Sequence, residues 1–193
     1  MPVQRWERDF GKHGQGRAAY YPSYYYSDVL DKTYHSLKIK IAQTPGKVLR
    51  NNKWQNAKMK EKTHFSDSKY HIAKDGPDTL VASGSDSTSI GINIGAGEGD
   101  DGVSLGRSWT ENYSHLGVSE VVTNDENAEH IWNVKHGSNT SKHTLDVSPG
   151  YRADVQGDTS KLNFWYKIKW KFKKKEWFNQ WVTTWWHAQW ANL

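Results

Sequence analysis

The side chains best suited to chemistry lie near the C-terminus, where lysines and tryptophans interleave. Trp165, Lys167, Lys169 and Lys171 recur at every second position, and Trp177, Trp181, Trp185 and Trp186 follow. Seven of the 11 tryptophans fall in the last 29 residues. Indole rings favour places where one edge is apolar and the other wet, such as protein interfaces and the headgroup layer of a bilayer. Lysines beside them add attraction to anionic surfaces and stack on aromatic faces. The chemistry on offer is contact: an anionic lipid surface first, another subunit or an acidic polymer second. Two plainer readings compete. Lysines on an edge strand block unwanted strand pairing, and the tail tryptophans could close over a core.

Signals for catalysis are thin. His64, Asp67 and His71 lie close in sequence, yet they match no short metal-ligand spacing. Glu98, Asp100 and Asp101 crowd one turn, where solvated acids need no calcium to explain them. Gly91, Gly95, Gly97, Gly99 and Gly102 precede no Gly-Lys-Ser/Thr, so a phosphate loop is not supported. No serine sits in a nucleophile elbow, and there are no cysteines for disulfides, thiolate catalysis or Cys-based zinc. No catalytic residue, metal site or cofactor is assigned, and the expectation is a non-enzymatic protein.

Composition bounds the rest. At 193 residues the expectation is a single domain. The apolar fraction is only 35% and mean hydropathy is −0.91, but aromatics reach 13%, so large rings must supply core area. The net charge of +5 is concentrated in residues 161–175, which argues against a general nucleic-acid binder. No window approaches 18 consecutive apolar residues, and the first ten residues carry no apolar signal core. Either the chain stays inside or a leader is missing from this sequence; action in the secreted state or at a cell or virion surface is the expectation adopted.

The elements that must position these residues read as strands. Residues 1–32, with the Tyr20–Tyr26 cluster, are expected to be an irregular arm. Leu37, Ile39 and Ile41 alternate with lysines, a half-buried strand. Residues 54–63 form a weaker polar strand, and the breaker-rich stretch 74–86 a loop. Further strands follow at 117–123, 128–136, 142–147, 151–156 and 162–172. In the last, Leu162, Phe164, Tyr166, Ile168, Trp170 and Phe172 share one face, with lysines on the other. Residues 176–190 fit helix and strand equally, because their tryptophans sit four apart. The predicted fold is all-β: an antiparallel sandwich (33–173) with a Tyr-rich N-terminal arm (1–32) and an aromatic tail (174–193).

The middle of the chain adds an amphipathic hairpin. Ile90, Ile92 and Ile94 alternate with Ser, Gly and Asn, and Val103, Leu105 and Trp109 alternate after a Gly-Asp-Asp-Gly turn. This hairpin and the strands after it, including Trp132, resemble the stem region of leukocidin/hemolysin-like β-pore-forming toxins over residues 89–136. The resemblance implies a hairpin that packs on its own sandwich in the soluble form. In an oligomer it would refold, apolar face to lipid and polar face to water. Ile90, Ile92, Ile94, Val103 and Leu105 would then be the inserting residues, and no lipid-binding residue is carried over from the family. The leading expectation is a membrane- or surface-binding, toxin-like protein. The alternatives are a self-assembling filament, coat or virion subunit, and a glycan-binding module using its aromatic platforms.

Overall fold

The computed structural model describes residues 4–67, 69–82, 88–94, 108–124, 126–177 and 179–192. The strands are β1 (Gln4–Asp9), β2 (Gly14–Ser27), β3 (Lys32–Pro45), β4 (Gln55–Phe65), β5 (His71–Gly76), β6 (Leu80–Ala82) and β7 (Thr88–Asn93). They continue as β8 (Ser108–Tyr113), β9 (Leu116–Asn124), β10 (Asn127–Val134), β11 (Leu145–Val147), β12 (Gly150–Gln156), β13 (Asn163–Glu176) and β14 (Asn179–Asn192). Two short helices, α1 (Gly46–Arg50) and α2 (Asn139–Lys142), fill corners. One sheet runs β1-β2-β3-β12-β5, with β11 also on β3; the other runs β14-β13-β4-β10-β9-β6, and β7 pairs with β8 apart from both. Every strand pair described is antiparallel. This is the antiparallel β-sandwich with a separate hairpin that the alternation predicts.

Period-two patterning explains the core. On β13 the predicted inward set, Phe164, Tyr166, Ile168, Trp170 and Phe172, is buried to 1% exposure or less. From the other sheet Leu37, Ile39 and Ile41 of β3 and Tyr151, Ala153 and Val155 of β12 join the same cluster. The Trp170 indole, whose N–H must find an acceptor when buried, donates to the Ala42 carbonyl across the sandwich at 3.2 Å.

Two expectations fail, for a common reason. The N-terminal segment is regular: β1 and β2 extend the first sheet, and Tyr20 lies in the core. Its inward positions Gly14, Gly16 and Ala18 are small and give little hydrophobic signal, yet β3 pairs with the whole of β2. Likewise residues 74–76 complete β5 and residues 80–82 form β6, because β12 and β9 supply partners that local breakers do not veto. The open question at the C-terminus resolves as strand. All fourteen residues of β14 pair with β13.

β4 reads as polar because its inward face carries a hydrogen-bonded network. Thr63 Oγ1 donates to Glu61 Oε1 at 2.6 Å, and the Tyr151 hydroxyl of the opposite sheet donates to Glu61 Oε2. His130 Nδ1 of β10 lies 2.9 Å from that hydroxyl, and its Nε2 lies 3.6 Å from the Asp75 carboxylate of β5. Burial and the Glu61 charge push the Tyr151 hydroxyl well above its ordinary value. The network therefore ties the two sheets through one shared proton donor. Tyr151→Phe should cost about 1–3 kcal/mol in denaturant unfolding, because it takes the donor from Glu61 Oε2 and leaves Thr63 alone on a buried carboxylate. Unchanged stability would mean that the hydroxyl is replaceable.

Candidate functional site

The β13–β14 hairpin ends in a tight turn. Glu176 pairs with Asn179, leaving two residues to reverse the chain. Such loops need left-handed backbone and favour Asn or Gly. Here Trp177 takes that position at φ 49° and is 91% exposed. A bulky residue with positive φ is a genuine outlier. Trp181 and Val182 beside it are also exposed, at 54% and 44%. The Lys174 ammonium lies 5.7 Å from the Trp181 ring and 5.8 Å from that of Trp54. It also bonds Glu176 at 3.1 Å and holds that carboxyl below the usual range. With Lys173 and Lys175 flanking, the tip pairs exposed indoles with ammonium groups.

The remaining tail residues have different surroundings. Trp185 faces inward, partly buried, and stacks on Phe10 between β1 and β2 (5.0 Å, 7°), so it packs against the core at the sandwich edge. Trp6 continues this seam, stacked on Trp170 at 5.1 Å and on His187 at 4.2 Å. Trp165 is half-buried on the outward face, with the His64 ring at 5.4 Å and Lys62 Nζ 5.7 Å from its centroid. The backbone register sets Trp186 opposite Lys169. Lys167, Lys169 and Lys171 line the outward face of β13, away from the tip, directly opposite Lys62, Lys60 and Lys58 of β4. That second row was missed in the sequence, although Lys58, Lys60 and Lys62 alternate there as plainly.

The β7–β8 hairpin has the expected two faces. Ile92 pairs with Trp109 and Ile90 with Glu111, while Ser89, Gly91 and Asn93 pair with Asn112, Thr110 and Ser108. The second set is exposed; Ile92 and Ile94 are buried at 2% and 0%. Val103, Leu105 and the turn between the arms lie outside the described residues. The apolar face rests on two glycines that oppose each other across β12 and β5, Gly150 and Gly76. A Cβ on Gly150 would meet the Trp109 ring at 2.3 Å, and one on Gly76 would meet Ile92 at 3.0 Å. Trp109 Nε1 donates to the Ser148 carbonyl at 3.0 Å, and Lys38 Nζ lies 4.0 Å from its ring centroid. Glu111 enters the same seam beside a cleft of about 570 Å³ lined also by Arg17, Lys40 and Asp146. Burial raises its carboxyl above the ordinary value, against the pull of a Ser148 hydrogen bond and Lys38; Asp146 adds to the rise.

Among the described residues no cluster of three metal-ligating side chains forms, and no helix is long and apolar enough to cross a membrane, which says nothing of strands. His64, Asp67 and His71 make no such cluster.

No protein-family model matches this chain. No curated protein matches it in sequence. Solved structures do. A protein described as "Pore forming protein" superposes with a TM-score of 0.52 at 8% identity, over 97% of this chain and 88% of its own. The Clostridium perfringens delta-toxin gives 0.53 at 10%, over 97% and 86%. The Clostridium perfringens NetB toxin in its membrane-inserted form gives 0.50 at 7%, over 98% and 96%. At these identities the likeness defines architecture: the chain has the leukocidin-like β-sandwich fold. It spans nearly the whole chain, well beyond the hairpin region that carried the resemblance.

Two outcomes test the docked hairpin. Gly150→Val should lift it, raising proteolytic cleavage within residues 88–113 on the order of tenfold for ~1.4 kcal/mol of lost docking; an unchanged rate would refute the glycine floor. For Glu111 the docked pKa is raised, so its contribution is full below the ordinary value of about 4.3 and is lost as pH rises through the raised value. Protection of the β7 and β8 amides, corrected for their intrinsic exchange rates, should fall over that rise, and Glu111→Gln should remove the fall.

Proposed function

We propose that this chain is a non-enzymatic, secreted or surface-acting membrane-binding protein of pore-forming type. It meets lipid through the β13–β14 tip and extends the β7–β8 hairpin into the bilayer within a homo-oligomer. The observation that carries this reading is Trp177, almost wholly exposed in a backbone conformation that disfavours it. Strain of this kind persists where a site needs it. A tip of two exposed indoles with lysines at its base suits the headgroup layer, where rings sink and ammonium groups stay with phosphates.

The docked hairpin supports the second step. Its strands alternate apolar and small polar residues, the pattern a membrane barrel requires, with lipid on one side and water on the other. Its apolar face is satisfied in the monomer by Gly76, Gly150 and the seam around Trp109, and by lipid after release. Likeness in fold to structures described as delta-toxin and as NetB toxin in its membrane-inserted form supports the toxin-like reading at the level of architecture.

A second reading, a self-assembling structural subunit, draws on β14, a fourteen-residue strand at the end of its sheet. An edge of that length can accept a neighbour's strand. Lipid dependence separates the two: assembly only on vesicles favours the toxin-like reading, and assembly in buffer favours the subunit.

The decisive variants are Trp177→Asn and Trp181→Ser together. Trp177→Asn relieves the turn, so thermal stability should hold or rise, while vesicle partition falls roughly tenfold or more from the lost ring burial. Flotation with anionic and zwitterionic liposomes, with dye release, reads this directly. Equal partition by the double variant would end the proposed role of the tip.

A further inference from the structure

The outward face of β4 and β13 carries an arrangement that neither the fold nor the tip requires. Lys167 stands opposite Lys62, Lys169 opposite Lys60, and Lys171 opposite Lys58. Like charges directly opposite one another on neighbouring strands are destabilising, and here three such pairs follow in succession. Lysines that guard a sheet edge against pairing would explain a single exposed row. That explanation fails, because β13 lies between β14 and β4, and β4 between β13 and β10. Both are interior strands with no free edge. Glu129 of β10 is set among the lysines and reaches Lys60 at 2.6 Å.

The geometry points to a binding surface for a linear sulfated polysaccharide, independent of the membrane reading. Rows of the ladder repeat about every 7 Å along the strands, and its two columns lie about 5 Å apart. This is a regularly spaced track for a polymer with anionic groups along its length. At one end Trp165 offers a half-buried ring beside Lys62 and His64. Next to it a shallow depression of about 220 Å³ is lined by Lys60, Lys62, Glu129, Trp165, Lys167 and Lys169. A sugar ring resting on Trp165 with its sulfates on the lysines matches that lining.

The other polyanions fit less well. Sequence-tolerant binding of single-stranded nucleic acid uses aromatic platforms in series; the two lysine columns hold Trp165 at one end, while the register sets Trp186 and Trp190 of β14 opposite Lys169 and Trp165, so the oligonucleotide arm of the test separates the two polymers. The ladder begins at Lys171, six residues from Trp177 or about 20 Å at strand rise, and ends at Lys167, ten residues or about 33 Å away. With a Debye length of about 8 Å, headgroups at the tip act weakly on its near end and hardly at all on its far end.

The test uses full-length protein and four neutral substitutions, K58Q, K62Q, K169Q and K171Q, which leave the Lys60–Glu129 pair intact. Heparin and dextran sulfate are the probes, with uncharged dextran, single-stranded oligonucleotide and phosphatidylserine vesicles as comparisons. Removing like-charge pairs should raise or preserve the melting temperature, while affinity for the sulfated probes falls roughly tenfold or more. Binding by the native protein should weaken with salt, and vesicle partition through the tip should be unaffected by the four substitutions. Unchanged sulfated-probe affinity in the variant would overturn the proposal, as would native binding to uncharged dextran or equal affinity for the oligonucleotide. Loss of vesicle partition in the ladder variant would also overturn it, assigning the ladder to lipid. The tip variants report on the membrane reading separately.

Discussion

β13 holds the molecule together because its two faces do unrelated things. Its even-numbered side chains from Phe164 to Phe172 are sealed in the core, and its odd-numbered ones from Trp165 to Lys175 point outward. A strand cannot slip by one residue without exchanging these sets. That shift would bury the ammonium groups and expose the rings, so the register is fixed with little tolerance. β14 and β4 inherit it, one on each side. The turn at Trp177, the inward setting of Trp185 and the lysine ladder all follow from this alternation.

The aromatic seam extends the same constraint to the other sheet. Trp6 and Phe10 come from the first turn of chain, yet they stack on Trp170, Trp185 and His187 near its end. A chain with few aliphatic residues closes its sandwich edge with rings instead, and rings bury large areas in defined geometries. The N-terminal segment is therefore part of the sheet structure and cannot be treated as a removable appendage.

Much of this was legible in the residues. The alternation of β3 and β13 and the two-faced hairpin were readable because each places large apolar groups at period two. β2 was not, since Gly14, Gly16 and Ala18 bury backbone and leave no hydrophobic stripe. Four-residue spacing left β14 ambiguous, and only its pairing with β13 resolves it. The site was half visible. Trp177 and Trp181 could be named, but separating them from Trp185 needed the partner Phe10, which lies over 170 positions away. The glycine floor was invisible for a related reason: Gly76 and Gly150 act only as a pair brought together across β5 and β12.

Three local features of the monomer run against its own stability, and they do so in different places. Trp177 occupies a turn position better suited to Asn or Gly. Three lysine pairs face each other within an interior part of a sheet. Glu111 carries a carboxyl into a seam whose burial disfavours its charge. Each could be relieved by ordinary substitutions at the surface, one for the indole, one for the carboxylate and one per lysine pair, so core packing does not explain any of them. Under the proposed readings an external partner would change the balance in each case: a headgroup layer for the indole, a polyanion for the lysines, and water for the carboxylate once the hairpin leaves its glycine floor. A sandwich this firmly registered can carry such costs because they fall on its outer face, its tip and its docked hairpin, outside the packing that fixes the register.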